Sequence, residues 1–155
     1  MSEINWKDKC WVTTIYLVKN DNKVLLTWNK NLQTWIPVGG HIEQGETPEE
    51  AIIREVKEET GFSFDFHINS HEENNGDVRV LKPHRFQIEK VPHHGSHMNF
   101  VFIGKVKEYN KERTETDEKE KLRWFSKEEL LKENMFESVK KNSIEAINYF
   151  ENQFQ

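Results

Sequence analysis

The chain has 155 residues, 35% of them hydrophobic, enough for one compact core and too few for two ordinary domains. Its 27 acidic residues outnumber its 22 basic ones, and the formal charge of -5 excludes the broad basic footprint needed to grip duplex nucleic acid by its phosphates. The longest mainly apolar run, Trp11 to Val18, is eight residues with two Thr, too short for a bilayer, and Cys10 is the only cysteine, so no intrachain disulfide forms. The expectation is a soluble, cytoplasmic, single domain over residues 1–155, with no membrane partner.

Residues 11–18 (WVTTIYLV) and 23–28 (KVLLTW) read as strands joined by turn chemistry at Asn20-Asp21-Asn22. A third strand is expected over Thr34 to Val38, with Gly39-Gly40 between it and a helix. The start of that helix is well marked: Thr47 at the N-cap, Pro48 at the first position and Glu50 completing a Thr-x-x-Glu capping box. Gly61 ends it as a left-handed cap. Strands resume at Phe62 to Ile68 and, beyond a polar loop from Ser70 to Asp77, as a pair over Arg85–Val91 and Met98–Val106. Residues 107–121 are charged enough to read as a loop, followed by a last strand from Leu122 to Phe125. Capping boxes at Ser126-x-x-Glu129 and Asn134-x-x-Glu137 open a short helix and a long one with the stripe Phe136, Val139, Ser143, Ile147, Phe150, Phe154. Mixed strands with helices between and after them predict an α/β fold, a mixed sheet covered by helices on both faces.

On the first helix, Glu58, Glu55 and Glu59 fall within an arc of roughly 100°, beside a neighbouring arc of Ile52, Val56 and Ile53 expected to enter the core. The crowding is locally unfavourable. Glu55 and Glu59 are a like-charge pair at i,i+4, and all three lie toward the helix end where the macrodipole disfavours negative charge. A rule broken inside a well-capped helix points to function, and a hard divalent cation is the simplest compensation. Glu-rich helix faces are more often solvated surface, so the surroundings decide.

Residues 40–62 read GHIEQGETPEEAIIREVKEETGF. The pattern Gly40, five residues, Glu46, seven residues, Arg54-Glu55-Val56-x-Glu58-Glu59-x-Gly61-Phe62 resembles the signature box of the Nudix hydrolases at every position. Seven of those positions demand one residue type each, and at roughly 0.07 usage per type a chance match at a given site is on the order of 10⁻⁸. The resemblance implies an α/β/α sandwich that cleaves a diphosphate linkage in a nucleoside diphosphate derivative or (d)NTP, with Mg²⁺ or Mn²⁺. It further implies Glu55, Glu58, Glu59 and the Gly39 carbonyl as metal ligands, Glu58, Glu59 and Arg54 as the catalytic set, and Gly40 against the substrate. Glu46 and Gly61 are then structural, with Arg54 pairing either with Glu46 or with Glu58 at i,i+4. One departure is that Val38 stands between Pro37 and the glycine pair, where many relatives have Pro directly before it.

Outside the box, the resemblance implies a further acid ahead of a late Trp that completes the metal or base set, and Glu118 matches it best before Trp124 as a metal ligand, with Glu120 second. His84, His93, His94 and His97 crowd one region, and the His93–His97 spacing is compatible with Zn²⁺, although a polar hairpin loop is the default. Trp28, Trp35, Phe86, Phe100, Phe102 and Trp124 are strand aromatics, core residues first and base-stacking candidates second. Trp28 and Arg85 are taken as substrate-binding candidates, and Cys10 as a small buried hydrophobe. The markers that the family uses for ADP-ribose (a Pro) and dinucleoside polyphosphates (a Tyr) are absent from Asp77-Val78-Arg79-Val80. The expected partner is therefore a small nucleotide-derived substrate, with a homodimer possible. The competing readings are a nucleotide-binding or partner-binding module without turnover, and hydrolysis at an RNA 5′ end, which the acidic charge disfavours.

Overall fold

A computed structural model describes residues 9–67, 74–91, 95–108 and 121–152. The first half contains β1 (Lys9–Lys19), β2 (Lys23–Asn29), β3 (Thr34–Ile36), β4 (Val38–His41) and α1 (Pro48–Thr60). There follow β5 (Ser63–Phe66), β6 (Asn74–Asn75), β7 (Val78–Arg79), β8 (Arg85–Val91), β9 (Gly95–Glu108) and β10 (Leu122–Phe125). Two helices close the order, α2 (Lys127–Lys132) and α3 (Glu137–Asn152).

The sheet is mixed, with β10-β2-β1-β9-β5 as its path. β1 runs parallel to β9 from Lys9 opposite Ser96 to Val18 opposite Lys105. Its other side is shared: β4 pairs antiparallel with Val12 to Ile15, and β2 with Val18 and Lys19. Alternation along β1 builds two cores. Ile15 and Leu17 pack with Leu25, Val38 and Phe102 against Ile52 and Val56 of α1. Tyr16 and Val18 pack with Val24, Leu26 and Ile103 against Val139, Ala146 and Ile147 of α3. Each fully buried aliphatic side chain contributes about 1.5–3 kcal/mol relative to exposure, so both helices are held by their apolar faces. The result is the expected α/β/α sandwich.

Several sequence expectations change in detail. The third strand is two, because Pro37 has no N–H to continue the ladder, and Gly39-Gly40 lies within β4 rather than after it. Val38, the residue that departs from the family pattern, is fully buried in the α1 core. Ile53, expected beside the core, is instead 49% exposed; α1 buries Ala51, Ile52, Val56 and Thr60. Within the polar loop, Gly76-Asp77 turns a small β6–β7 hairpin, with Gly76 at φ 60°. The Asn134 box does not form: the Val139 and Lys140 N–H groups close α3 onto the Phe136 carbonyl at 3.0 and 3.1 Å, and Phe136 itself is exposed. Cys10 is half-buried rather than buried. Lys107 and Glu108 belong to β9, while the rest of that charged stretch to residue 120, together with Ile68 and Phe154, lies outside the described residues. Among the described residues no helix is long and apolar enough to cross a membrane.

β4 lies against β1 because Gly39 has no side chain. A Cβ there would stand 2.2 Å from the Thr13 carbonyl oxygen and 2.8 Å from Thr14 Cα, both rigid backbone. At Gly45 the φ is +85° but a Cβ would meet nothing. Gly39→Ala should therefore cost about 2–3 kcal/mol, the range of overpacking, and Gly45→Ala only about 1 kcal/mol of backbone strain. Urea unfolding of the two variants checks this; equal losses would refute the clash.

Candidate active site

α1 begins where Thr47 Oγ1 accepts the Glu50 N–H at 3.2 Å, with Pro48 in the first turn. The reciprocal half of the capping box is altered: the Glu50 carboxylate takes the Thr47 hydroxyl at 3.2 Å instead of the cap's backbone N–H. Gly61 ends the helix at φ 73°, its N–H donating to the Lys57 carbonyl at 3.0 Å. With both ends fixed, the glutamate arc points at β4.

Arg54 organises that arc. Its Nε donates to Glu46 Oε2 at 2.8 Å and Nη2 to Glu46 Oε1 at 3.0 Å, a bidentate pair. Nη1 donates to Glu55 Oε1 at 2.8 Å and to Glu58 Oε2 at 3.3 Å. Nη2 also reaches the His41 carbonyl at 3.1 Å, and Glu43 Oε1 stands 3.8 Å from Nη1. Glu46 is fixed in turn, since its Oε1 accepts the Glu43 N–H at 2.9 Å. The hydrogen bond from Arg54 holds the Glu46 carboxyl below its ordinary value, and Glu46 in return raises the basicity of Arg54, which is cationic at every working pH.

Gly40 provides the space beneath Glu55. A Cβ at Gly40 would lie 2.4 Å from Glu55 Oε1 and 2.6 Å from its carboxyl carbon. The three box glutamates differ in exposure: the Glu55 side chain is 15% accessible, that of Glu58 59%, and Glu59 is half-buried with Oε2 sealed from solvent. Their donor chemistry, carboxylates on one helix arc beside a strand carrying Gly39, fits a hard divalent cation. Among the described residues, no three acidic, His or Cys side chains are gathered around a common point as they stand, and Arg54 is the cation between Glu55 and Glu58.

Other candidates fall elsewhere. Trp28 packs edge-on to Trp35, ring centroids 5.3 Å apart. Arg85 is tied to Glu145 on α3 at 3.0 Å, a carboxylate it shares with His84 at 2.7 Å. Glu118, Glu120, His93 and His94 lie outside the described residues. His97 is in β9, its ring 6.0 Å from that of His41 and its Nδ1 3.8 Å from Glu89 Oε1. Phe86 breaks the expectation for strand aromatics, being 46% exposed. Sequence reading missed Glu43 and the His41 carbonyl as parts of the clamp; the only signal was their place in the loop leading to Glu46.

The family model described as NUDIX domain matches residues 9–147. The chain belongs to this family. Its Nudix fold is matched by a NUDIX-family hydrolase from Clostridium perfringens, at TM-score 0.77 and 28% identity over 90% of this chain and 97% of that one. The C. elegans Ap4A hydrolase matches in fold alone, at TM-score 0.60 and 14% identity over 94% of this chain and 97% of that one. An ADP-ribose pyrophosphatase of Methanocaldococcus jannaschii is 48% identical over 48 residues, 29% of this chain and only 28% of that protein. An asymmetrical bis(5'-nucleosyl)-tetraphosphatase of Mus musculus is 25% identical over 117 residues, 76% of this chain and 72% of that protein.

The clamp sets a pH dependence. A carboxyl held below its ordinary value contributes stability that is full above that value and fades as pH falls through the lower folded one. For Glu46 that window opens below about pH 4.3. Acid unfolding followed by circular dichroism should show a steep wild-type limb that is shallower in Glu46→Gln. Superimposable limbs would remove Glu46 from the clamp.

Proposed function

We propose that this Nudix chain is a divalent-metal-dependent pyrophosphohydrolase. It cleaves a diphosphate linkage in a nucleoside diphosphate derivative or (d)NTP, giving a monophosphate and a second phosphorylated product or pyrophosphate. The observation that carries the reading is the Arg54-centred carboxylate cluster placed over Gly40, beside the Gly39 backbone. The names borne by the archaeal and mouse relatives, a pyrophosphatase and a tetraphosphatase, support it.

Glu55, Glu58, Glu59 and the Gly39 carbonyl would hold Mg²⁺ or Mn²⁺. A bound ion supplies charge neutralisation at phosphoryl oxygens and a more acidic water. The protein's own part is positional. Arg54 orients Glu55 and Glu58 and is itself locked by the bidentate Glu46 pair, so the carboxylates do not have to be ordered at the moment of reaction. Glu58, the most accessible of the three, would take a proton from water arriving from solvent. Gly40, with no Cβ, leaves room for the Glu55 carboxylate to lie against the β4 backbone.

Phosphate release from a panel of nucleoside diphosphate derivatives and (d)NTPs, with Mg²⁺ or Mn²⁺ and with EDTA, tests the reading. Activity should require the metal, and Glu58→Gln should lower kcat by about 10²–10⁴ with an unchanged melting temperature. A wild type that binds nucleotides but turns over none would make the chain a binding module.

A further inference from the structure

β8 is built inside out. A strand with one buried face turns its apolar residues inward, and a one-residue slip would reverse them. Here Phe86 and Ile88 are 46% and 39% exposed, while Arg85, Gln87 and Glu89 face inward on the α3 side of the sheet. The antiparallel register sets Gln87 opposite Asn99 and Glu89 opposite His97. Inversion of this kind, in a strand that could have buried Phe and Ile, is where a local rule yields to function.

The inward polar groups form one network. Thr14 Oγ1 donates to Asn99 Oδ1 at 3.1 Å, and Asn99 Nδ2 donates to Glu89 Oε2 at 3.0 Å. Gln87 Nε2 donates to the same Oε2, and Gln87 Oε1 accepts from Asn142 Nδ2 of α3 at 3.3 Å. Both amide oxygens are thus turned away from Glu89 and both amide N–H groups toward it. Burial pushes the Glu89 carboxyl up, but His97, Asn99 and Gln87 together outweigh that and hold it below its ordinary value. Oε1 faces His97 Nδ1 at 3.8 Å, and 30% of the side chain is open to solvent. On α3, Asn142 Oδ1 and Ser143 Oγ are sealed from solvent without hydrogen-bond partners, so polar capacity is also left unused on the helix above.

We propose that Glu89 is a specificity-determining carboxylate that accepts the paired N–H donors of a guanine-type base. The proposal rests on the hydrolase reading and names the nucleoside that site prefers. An ionised carboxylate only accepts hydrogen bonds. Guanine offers a ring N–H beside an exocyclic amine, which a carboxylate meets as a pair. Adenine and cytosine offer a ring acceptor beside their amine, which it repels. The placement fits one ligand. Gly39 is opposite Thr14, and the chain Thr14–Asn99–Glu89 then crosses β1, β9 and β8. Three strand spacings are about 14 Å, comparable with a nucleoside diphosphate from phosphate to base edge.

Binding in EDTA, where turnover plays no part, separates this proposal from the hydrolase reading, which metal-dependent phosphate release tests on its own. Isothermal titration with GMP, AMP and ribose 5-phosphate should show GMP at least tenfold tighter than AMP, and Glu89→Gln should erase that ratio. Glu89→Asp, which keeps the charge, should retain a preference for GMP. Equal binding of GMP and AMP by the wild type overturns the proposal whether or not the variants fold. So does ribose 5-phosphate binding as tightly as GMP, which would assign the carboxylate to a sugar diol, and so does a ratio that survives in folded Glu89→Gln.

Discussion

One guanidinium keeps a crowd of like charges together on a short helix. Glu55 and Glu59 repel at i,i+4, and the dipole of α1 opposes every carboxylate near its C-terminal end. Arg54 offsets this by spending its donors on Glu46, Glu55 and Glu58 at once and anchoring to the His41 carbonyl. A lysine could neutralise charge but could not make the bidentate bond to Glu46 while holding a second carboxylate. The position of Glu55 therefore depends on Arg54, and that of Arg54 on the loop that presents Glu46 and His41. That loop is held where β4 ends by the Ile42 N–H donating to the Trp11 carbonyl at 3.0 Å.

What was readable in the sequence follows from how local each signal is. The caps at Thr47, Gly61 and Ser126 depend on one or two neighbouring residues, and all three appear where expected. The glutamate arc depends only on helical period, so its sharing of one face was readable too. What was not readable depends on partners distant in sequence. Whether Ile53 is buried depends on how far α1 rolls on the sheet, and the wheel gives a face without saying where the sheet ends. That Gly39-Gly40 is strand rather than loop depends on pairing with Thr13 and Thr14, which β1 supplies. In β8 the alternation of Arg-Phe-Gln-Ile-Glu is plain, but period two does not say which set faces in. Hydrophobicity gives the wrong answer there because polar partners on β9 and α3 decide it.

Those two strands, β4 and β8, bear on the same question of how a nucleotide could reach both the glutamates and the polar floor. Gly40 lies opposite Thr13, on the face that carries α1 and Glu55. Gly39 lies opposite Thr14, whose hydroxyl begins the network ending at Glu89 on the other face. Because side chains alternate along a strand, two successive glycines remove one side chain from each face in turn. β4 therefore carries no side chain on either face at this point, and the space is taken by the Glu55 carboxylate over Gly40 and by Thr13 and Thr14 against Gly39. A single glycine would clear only one face, leaving either Glu55 or the Thr14 side obstructed by a Cβ. The pair thus joins two requirements: close packing of β4 on β1 at Gly39, and room for the Glu55 carboxylate at Gly40.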